Sequence, residues 1–190
     1  MARPSVAAER REQILDATMA TIAEHGIHGT TLDRIATATG MSRGHVRHFV
    51  GNRDKLLLDT ATALFADQTG EVGTILPAGT SDLESALDYL FGPAFNSPDR
   101  ENAVVLGFVQ LSRTDPEIAQ VLTSAYTATR VQLADLVASD HPDASPDTCT
   151  TAAYGVLTCA LGSVFLGDFD ADPTRAARSR AAAEALLAAL

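Results

Sequence analysis

From Ser42 to Phe49 the chain reads Ser-Arg-Gly-His-Val-Arg-His-Phe, and four of those eight residues carry nitrogen donors suited to nucleic acid. A guanidinium presents parallel N–H groups that match the O6 and N7 acceptors of guanine in the major groove, each good pair discriminating by ~1–3 kcal/mol. Arg43 and Arg47 stand one helical turn apart, so a helix here puts both on one face. Gly44 between them lets a backbone approach the groove floor. On an isolated helix the two arginines would read equally well as a solvated face. His45 and His48 could begin a zinc site, but no third ligand accompanies them, and no metal is expected.

The frame around these residues favours DNA. Two helices that cross closely need a small residue where they touch, and Ala36 supplies it. The turn between them needs a residue tolerant of positive φ, which Gly40 is. The second helix needs an apolar residue facing the first, which Val46 is. With Ser42 as N-cap, this spacing predicts a helix-turn-helix over about 31–50. A first helix from about Ala7 to His25 carries the stripe Ile14, Leu15, Thr18 and Ile22, with Gly26 as its stop. A fourth opens near Arg53, after the Gly51-Asn52 turn.

Beyond the Gly/Pro/Thr-rich stretch 70–80 the pattern stays helical. Ser81 or Asp82 opens a helix to about Phe95, and Pro98-Asp99 another, through Phe108 and Leu111. Asp115-Pro116, Ser145-Pro146 and Asp172-Pro173 each place a capping residue before a proline, the signal of a helix start. The expected fold class is all-α, with about nine helices and no strand.

A net charge of −10 at first argues against a nucleic-acid partner. Its distribution reverses that argument. Residues 1–60 carry a balance of +1 and residues 61–190 one of −11. Such asymmetry suits a reading head on an acidic body. Cys149 and Cys159 sit too far apart on one helix to form a disulfide within it. With no signal-peptide pattern and no run of 18 apolar residues, a cytoplasmic protein without a membrane span is expected. No G-x-S-x-G, P-loop or H-E-x-x-H is present, so an enzyme is not expected.

The segment GIHGTTLDRIATATGMSRGHVRHFVGNRDKLL resembles the N-terminal domain of the TetR family of transcriptional regulators. The likeness runs from about Glu9 to Leu64 and includes Gly-x-x-Gly-Thr-Thr, Gly-Met-Ser and His-Phe-x-x-Asn-Arg-x-x-Leu-Leu. It implies a DNA-binding domain over 8–68 and a ligand-binding, dimerising domain over 69–190. It implies phosphate contact by Thr31, and base contact by Arg43, Gly44 and Arg47. Ser42, His45, His48 and Phe49 would lie near phosphate or sugar, and Arg53 and Lys55 would meet the DNA backbone. His45 and Arg47 depart from the threonine and tyrosine frequent in the family, and Val50 from phenylalanine. A second arginine points to a G-containing half-site. Arg3, Arg10 and Arg11 could add DNA contacts, or could be an ordinary charged first turn.

The resemblance further implies a ligand-responsive repressor that binds a palindromic double-stranded operator as a homodimer and is released by a small-molecule effector, without a cofactor. The alternative is an all-helical small-molecule-binding protein or enzyme with no DNA-binding role. Candidate pocket residues are Phe91, Phe95, Phe108, Leu111, Tyr126, Arg130 and Phe165, with Gln110, Thr127 and Tyr154 as further polar groups. Pockets of this kind are mostly apolar with a few polar anchors. Candidate dimer-face residues are Ala152, Val156, Cys159, Ser163, Ala181, Ala185 and Leu186, whose mostly small side chains let helices approach closely.

Overall fold

The computed structural model describes residues 6–67, 69–96 and 100–190. It is all-α: α1 (Val6–Gly29), α2 (Leu32–Thr39), α3 (Arg43–Val50), α4 (Arg53–Leu64), α5 (Leu83–Phe91), α6 (Pro93–Asn96), α7 (Arg100–Leu111), α8 (Pro116–Asp140), α9 (Pro146–Leu166) and α10 (Arg175–Leu187). The four-residue α6 apart, these are the nine helices expected. Among the described residues the only extended pairing is a single bridge between Ala66 and Val72.

The helix starts follow local chemistry. Asp115 accepts from the backbone N–H of Glu117 and Ile118 at 3.0 and 3.2 Å, and Ser145 from that of Thr148 at 3.2 Å. The Asp172-Pro173 signal is displaced by two residues. Asp172 turns its carboxylate onto the Thr174 hydroxyl and amide, and α10 begins at Arg175. The helix expected to reach Phe95 breaks at Gly92, which is extended (φ −78°, ψ 168°) because a residue before proline is pushed out of the α region. The Pro98-Asp99 signal lies outside the described residues.

The chain forms two compact units. The first comprises residues 1–72 and 99–122, the second 73–98 and 123–190. The first therefore reaches beyond the 8–68 segment, because α7 packs on α1. Gly107 permits that approach: a Cβ there would lie 3.1 Å from Ile22 Cγ2 and 3.5 Å from Ile27 Cβ. Around α2 and α3 the core is Ile14, Leu32, Ile35, Ala36, Val46, Val50 and Leu56.

In the second unit α5, α9, α10 and the later part of α8 bury Leu87, Leu90, Leu133, Val137, Val156, Leu157 and Leu187. By length and a mean hydropathy of 1.6, α9 could cross a membrane, although polar residues interrupt its apolar run. Here Cys149, Ala153, Val156 and Ala160 of α9 are buried in the unit's core instead. Arg180 fastens α10 to α5: its guanidinium reaches Asp88 at 2.6 Å, Glu184 at 2.7 Å, and Glu84. These carboxylates, Asp88 foremost, hold the guanidinium charged more firmly than usual. Asp88 and Glu84 are about two-thirds exposed, so water screens the network. Arg180→Ala is expected to cost about 1 kcal/mol, less at high salt. Urea midpoints at two ionic strengths measure both quantities.

Candidate nucleic-acid interface

Three short helices in succession are each opened by a side-chain cap. Thr31 Oγ1 accepts from Arg34 N at 3.3 Å, Ser42 Oγ from His45 N at 3.2 Å, and Asn52 Oδ1 from Lys55 N at 2.8 Å. A hydroxyl that accepts a capping bond still has its own proton to donate. Thr31 and Ser42, both exposed, can therefore cap their helices and offer an O–H to a phosphate at once.

The turn between α2 and α3 is a Schellman closure. Gly40 is left-handed (φ 66°, ψ 20°), its N–H donates to Thr37 O, and Met41 N donates to Ala36 O at 3.0 Å. Gly51, between α3 and α4, has φ 77° and ψ −134°, a conformation essentially reserved for glycine. Ile35, Val46 and Val50 are fully buried at the α2–α3 contact with α1 and α4. Burial of Val46 turns the opposite face of α3 to solvent, so Arg43, Gly44, His45, Arg47 and His48 are all exposed.

On that face the two arginines differ. Among the described residues the Arg47 side chain has no hydrogen-bond or ion-pair partner. Arg43 Nη1 lies 3.2 Å from Asp33 Oδ2 of α2, with both side chains about two-thirds exposed. A pair so exposed contributes no more than about 1 kcal/mol, so Arg43 can exchange it for a base at little cost. Phe49 is half-buried, with the rings of His45 and His48 at 5.7 and 5.4 Å. It packs against the core and props up both histidines.

Gly44 has no structural reason to be glycine. Its φ is not positive, and an added Cβ would meet nothing closer than Ser42 Oγ at 4.0 Å. Glycine inside a helix costs roughly 0.5–1 kcal/mol relative to alanine. Gly44→Ala is thus expected to raise stability by up to about that amount while weakening DNA binding. Thermal unfolding and a DNA titration on one preparation check the opposite signs.

The basic groups nearby are more committed. Asp59, with a side chain only 17% exposed, accepts from Arg11 at 2.7 Å and from Lys55 at 3.3 Å. Arg10 bonds Gln13 at 2.7 Å. Arg53 points inward, onto the carbonyls of Ile27 and Thr30. Arg3 lies outside the described residues. Asp33 and Asp59 have no place in the sequence reading, since neither departs from an ordinary charged helix position.

The expected pocket residues scatter. Phe108 is fully buried and Leu111 half-buried in the first unit; Phe91, Phe95 and Tyr126 share the core of the second. Burial pushes the Tyr126 phenol up to about 12, so it stays neutral. Arg130 lies over the Tyr154 ring, 5.6 Å from its centroid. Phe165 is 57% exposed, edge-on to Phe169 at 5.4 Å. An open cleft of about 740 Å³ in the first unit, bordered by Leu15, Met19, Leu64 and Val104, includes none of the expected residues. One of about 680 Å³ in the second includes only Phe91.

The expected dimer face also divides. Ala152, Val156 and Ser163 are buried inside the single chain, at 6%, 0% and 1% exposure, so they cannot form its outer surface. They look inward because α9 turns that side to α5 and α10. Ala181, Ala185 and Leu186 are exposed and Cys159 is half-buried. The exposed apolar residues on and just after α9 are Tyr154, Phe165, Leu166 and Phe169. Tyr154, Thr158 and Phe165 share one helix face, but the other sides of α9 are also apolar or small, so their spacing alone does not mark it as the outer one.

This geometry meets clear likenesses among known proteins. Residues 14–60 match the family described as bacterial regulatory proteins, tetR family. The chain is 28% identical over 160 residues to the HTH-type transcriptional regulator BetI of Paraburkholderia xenovorans, covering 83% of this chain and 80% of that one. It is 31% identical over 132 residues to the HTH-type transcriptional repressor AcnR of Corynebacterium efficiens, covering 65% and 64%. Its fold is that of a transcriptional regulator from Saccharomonospora viridis solved in complex with choline, with a TM-score of 0.74, 17% identity, and coverage of 95% and 96%. The capped α2–turn–α3 unit, its exposed arginine face and these relatives agree: the chain is a DNA-binding transcriptional regulator of the TetR family.

Proposed function

We propose that the protein is a ligand-responsive repressor acting in the cytoplasm, a homodimer that binds a palindromic operator and leaves it when a small molecule binds. The observation that carries this reading is the exposed Arg43–Gly44–Arg47 face on a helix seated by buried Val46. In this reading residues 8–68 hold the DNA contacts and 69–190 the effector and dimer surfaces. Arg43 and Arg47 read bases, with Gly44 allowing close approach. Thr31, Ser42, His45, His48, Phe49 and Lys55 lie along phosphate and sugar. The dimer face is the exposed side of α9 and α10, with Tyr154, Phe165, Ala181, Ala185 and Leu186. Two such helix pairs from two copies build a four-helix bundle.

The effector is taken to be a small organic molecule, in keeping with the choline held by the S. viridis neighbour. Phe91, Phe95 and Tyr126, which share one core cluster, are its candidate lining. Reversing occupancy from 99:1 to 1:99 requires an effector that favours the released state by ~5.5 kcal/mol.

Selection of bound sequences from a random duplex pool, using the full chain, tests the reading. It should return an inverted repeat whose half-site centres lie about one DNA turn apart, or a multiple of it. Affinity for that site should fall steeply with salt as phosphate contacts release counterions. Absence of binding to any duplex at low salt would favour a helical small-molecule carrier instead.

A further inference from the structure

We propose that Arg53 is a positioning residue that sets the phosphate-facing Thr31 against the start of α4, rather than a DNA-backbone contact itself. The inference rests on the DNA-reading function above. The Arg53 Nε donates to Thr30 O at 2.7 Å and its Nη2 to Ile27 O at 2.6 Å. Its side chain is 32% exposed, against 66% for Arg43. The remaining Nη1 lies 3.4 Å from Asp54 Oδ1.

The acceptors explain why the fork turns inward. Helical geometry in α1 fails at Gly26 (φ 70°, ψ 167°), and the carbonyls near a helix end lack intrahelical donors. Thr30 Oγ1 satisfies Gly26 O at 2.9 Å, and Arg53 satisfies Ile27 O and Thr30 O. Ile27 and Thr30 are themselves buried, at 1% and 0% exposure, so without Arg53 these carbonyls would face a costly loss of partners. Thr30 immediately precedes Thr31, the N-cap of α2. Arg53 immediately follows Asn52, the N-cap of α4. One guanidinium thus joins two caps that bracket the reading helix. A lysine cannot do this, because an ammonium is a point charge rather than a rigid fork.

The test uses the full chain and the duplex recovered by selection. Operator affinity is measured over a salt series for wild type, Arg53→Ala, Arg53→Lys and Thr31→Ala, and for Arg53→Ala combined with Thr31→Ala. Far-ultraviolet circular dichroism confirms that each variant is folded under the binding conditions. A positioning role predicts that Arg53→Ala and Arg53→Lys both weaken binding by about tenfold while the salt slope stays that of wild type. It also predicts that Thr31→Ala costs little further once Arg53 is gone, a non-additivity that a general loss of stability would not produce. The proposal is overturned if Arg53→Ala lowers the slope by ~0.9 per half-site and Arg53→Lys restores binding. Additive effects of Arg53→Ala and Thr31→Ala overturn it as well. If Arg53→Ala does not fold, Arg53→Lys decides alone: wild-type affinity refutes the proposal, and weakened binding with an unchanged slope supports it. A wild-type protein that binds no duplex defeats the DNA-reading function rather than this assignment.

Discussion

Replacing Arg47 with alanine should flatten the operator preference at one base pair of each half-site and leave the fold intact. The side chain is exposed and has no hydrogen-bond or ion-pair partner among the described residues, so its removal should change stability by no more than about 0.5 kcal/mol. A bidentate arginine–guanine pair discriminates by ~1–3 kcal/mol. Two-fold symmetry doubles that figure over a full operator, since one substitution acts in both half-sites. The loss should concentrate at one position. Loss of a phosphate contact would instead weaken all sequences alike and reduce the salt slope by about one. Arg43→Ala should behave similarly at a neighbouring base pair, reduced by the modest cost of freeing Arg43 from Asp33. A panel of operators varied at each position, titrated with wild type and both variants, separates these outcomes. If Arg47→Ala keeps the wild-type preference at every base pair, Arg47 is not a base reader.

Phe165→Glu should turn the proposed dimer into monomers and carry operator affinity down with it. In the single chain Phe165 is 57% exposed, beside Phe169 at 68%, and Tyr154 and Leu186 are exposed at 57% and 46%. Exposed apolar side chains of this size, with Phe165 and Phe169 in ring contact, are what the proposed interface would cover. Full burial of a phenylalanine is worth roughly 1.5–3 kcal/mol, and an isologous interface contains the residue twice. A carboxylate at the same place adds the cost of an unpaired charge. The dimer dissociation constant should therefore rise by at least about three orders of magnitude, as several kcal/mol imply. Thermal unfolding of the isolated monomer should barely change, because the side chain contributes little to its own subunit's core. Sedimentation over a concentration series gives the dissociation constant, and unchanged self-association would remove Phe165 from the interface. Binding to a single half-site should survive the substitution, which distinguishes lost dimerisation from a damaged reader.

The reading unit was the most legible part of the chain because its constraints are local. Gly40 is needed where the backbone takes a positive φ, a steric requirement confined to one residue. Thr31, Ser42 and Asn52 cap their helices through bonds that span three residues. Alternation of buried Ile35, Val46 and Val50 with charged neighbours orients α2 and α3 without reference to anything distant. The all-α class and the exposed arginines follow from the same short-range rules.

Where several partners compete for one residue, spacing was silent. Arg53 looks like any basic residue at a helix start; only the bend at Gly26 brings buried carbonyls within its reach. The fit of α7 against α1 depends on Gly107 meeting Ile22, 85 residues earlier in the chain. On α9 nearly every side is apolar or small, so periodicity could not tell the core side from the outer side. Packing against α5 and α10 drew Ala152, Val156 and Ser163 inward and left Tyr154 and Phe165 outside. The helices, their caps and the arginine face could be read from residue order, since hydrogen bonds and sterics within a few residues specify them. Which apolar face remains uncovered and which arginine is held inside emerged from long-range packing, since both depend on segments far apart in the chain competing for the same contacts.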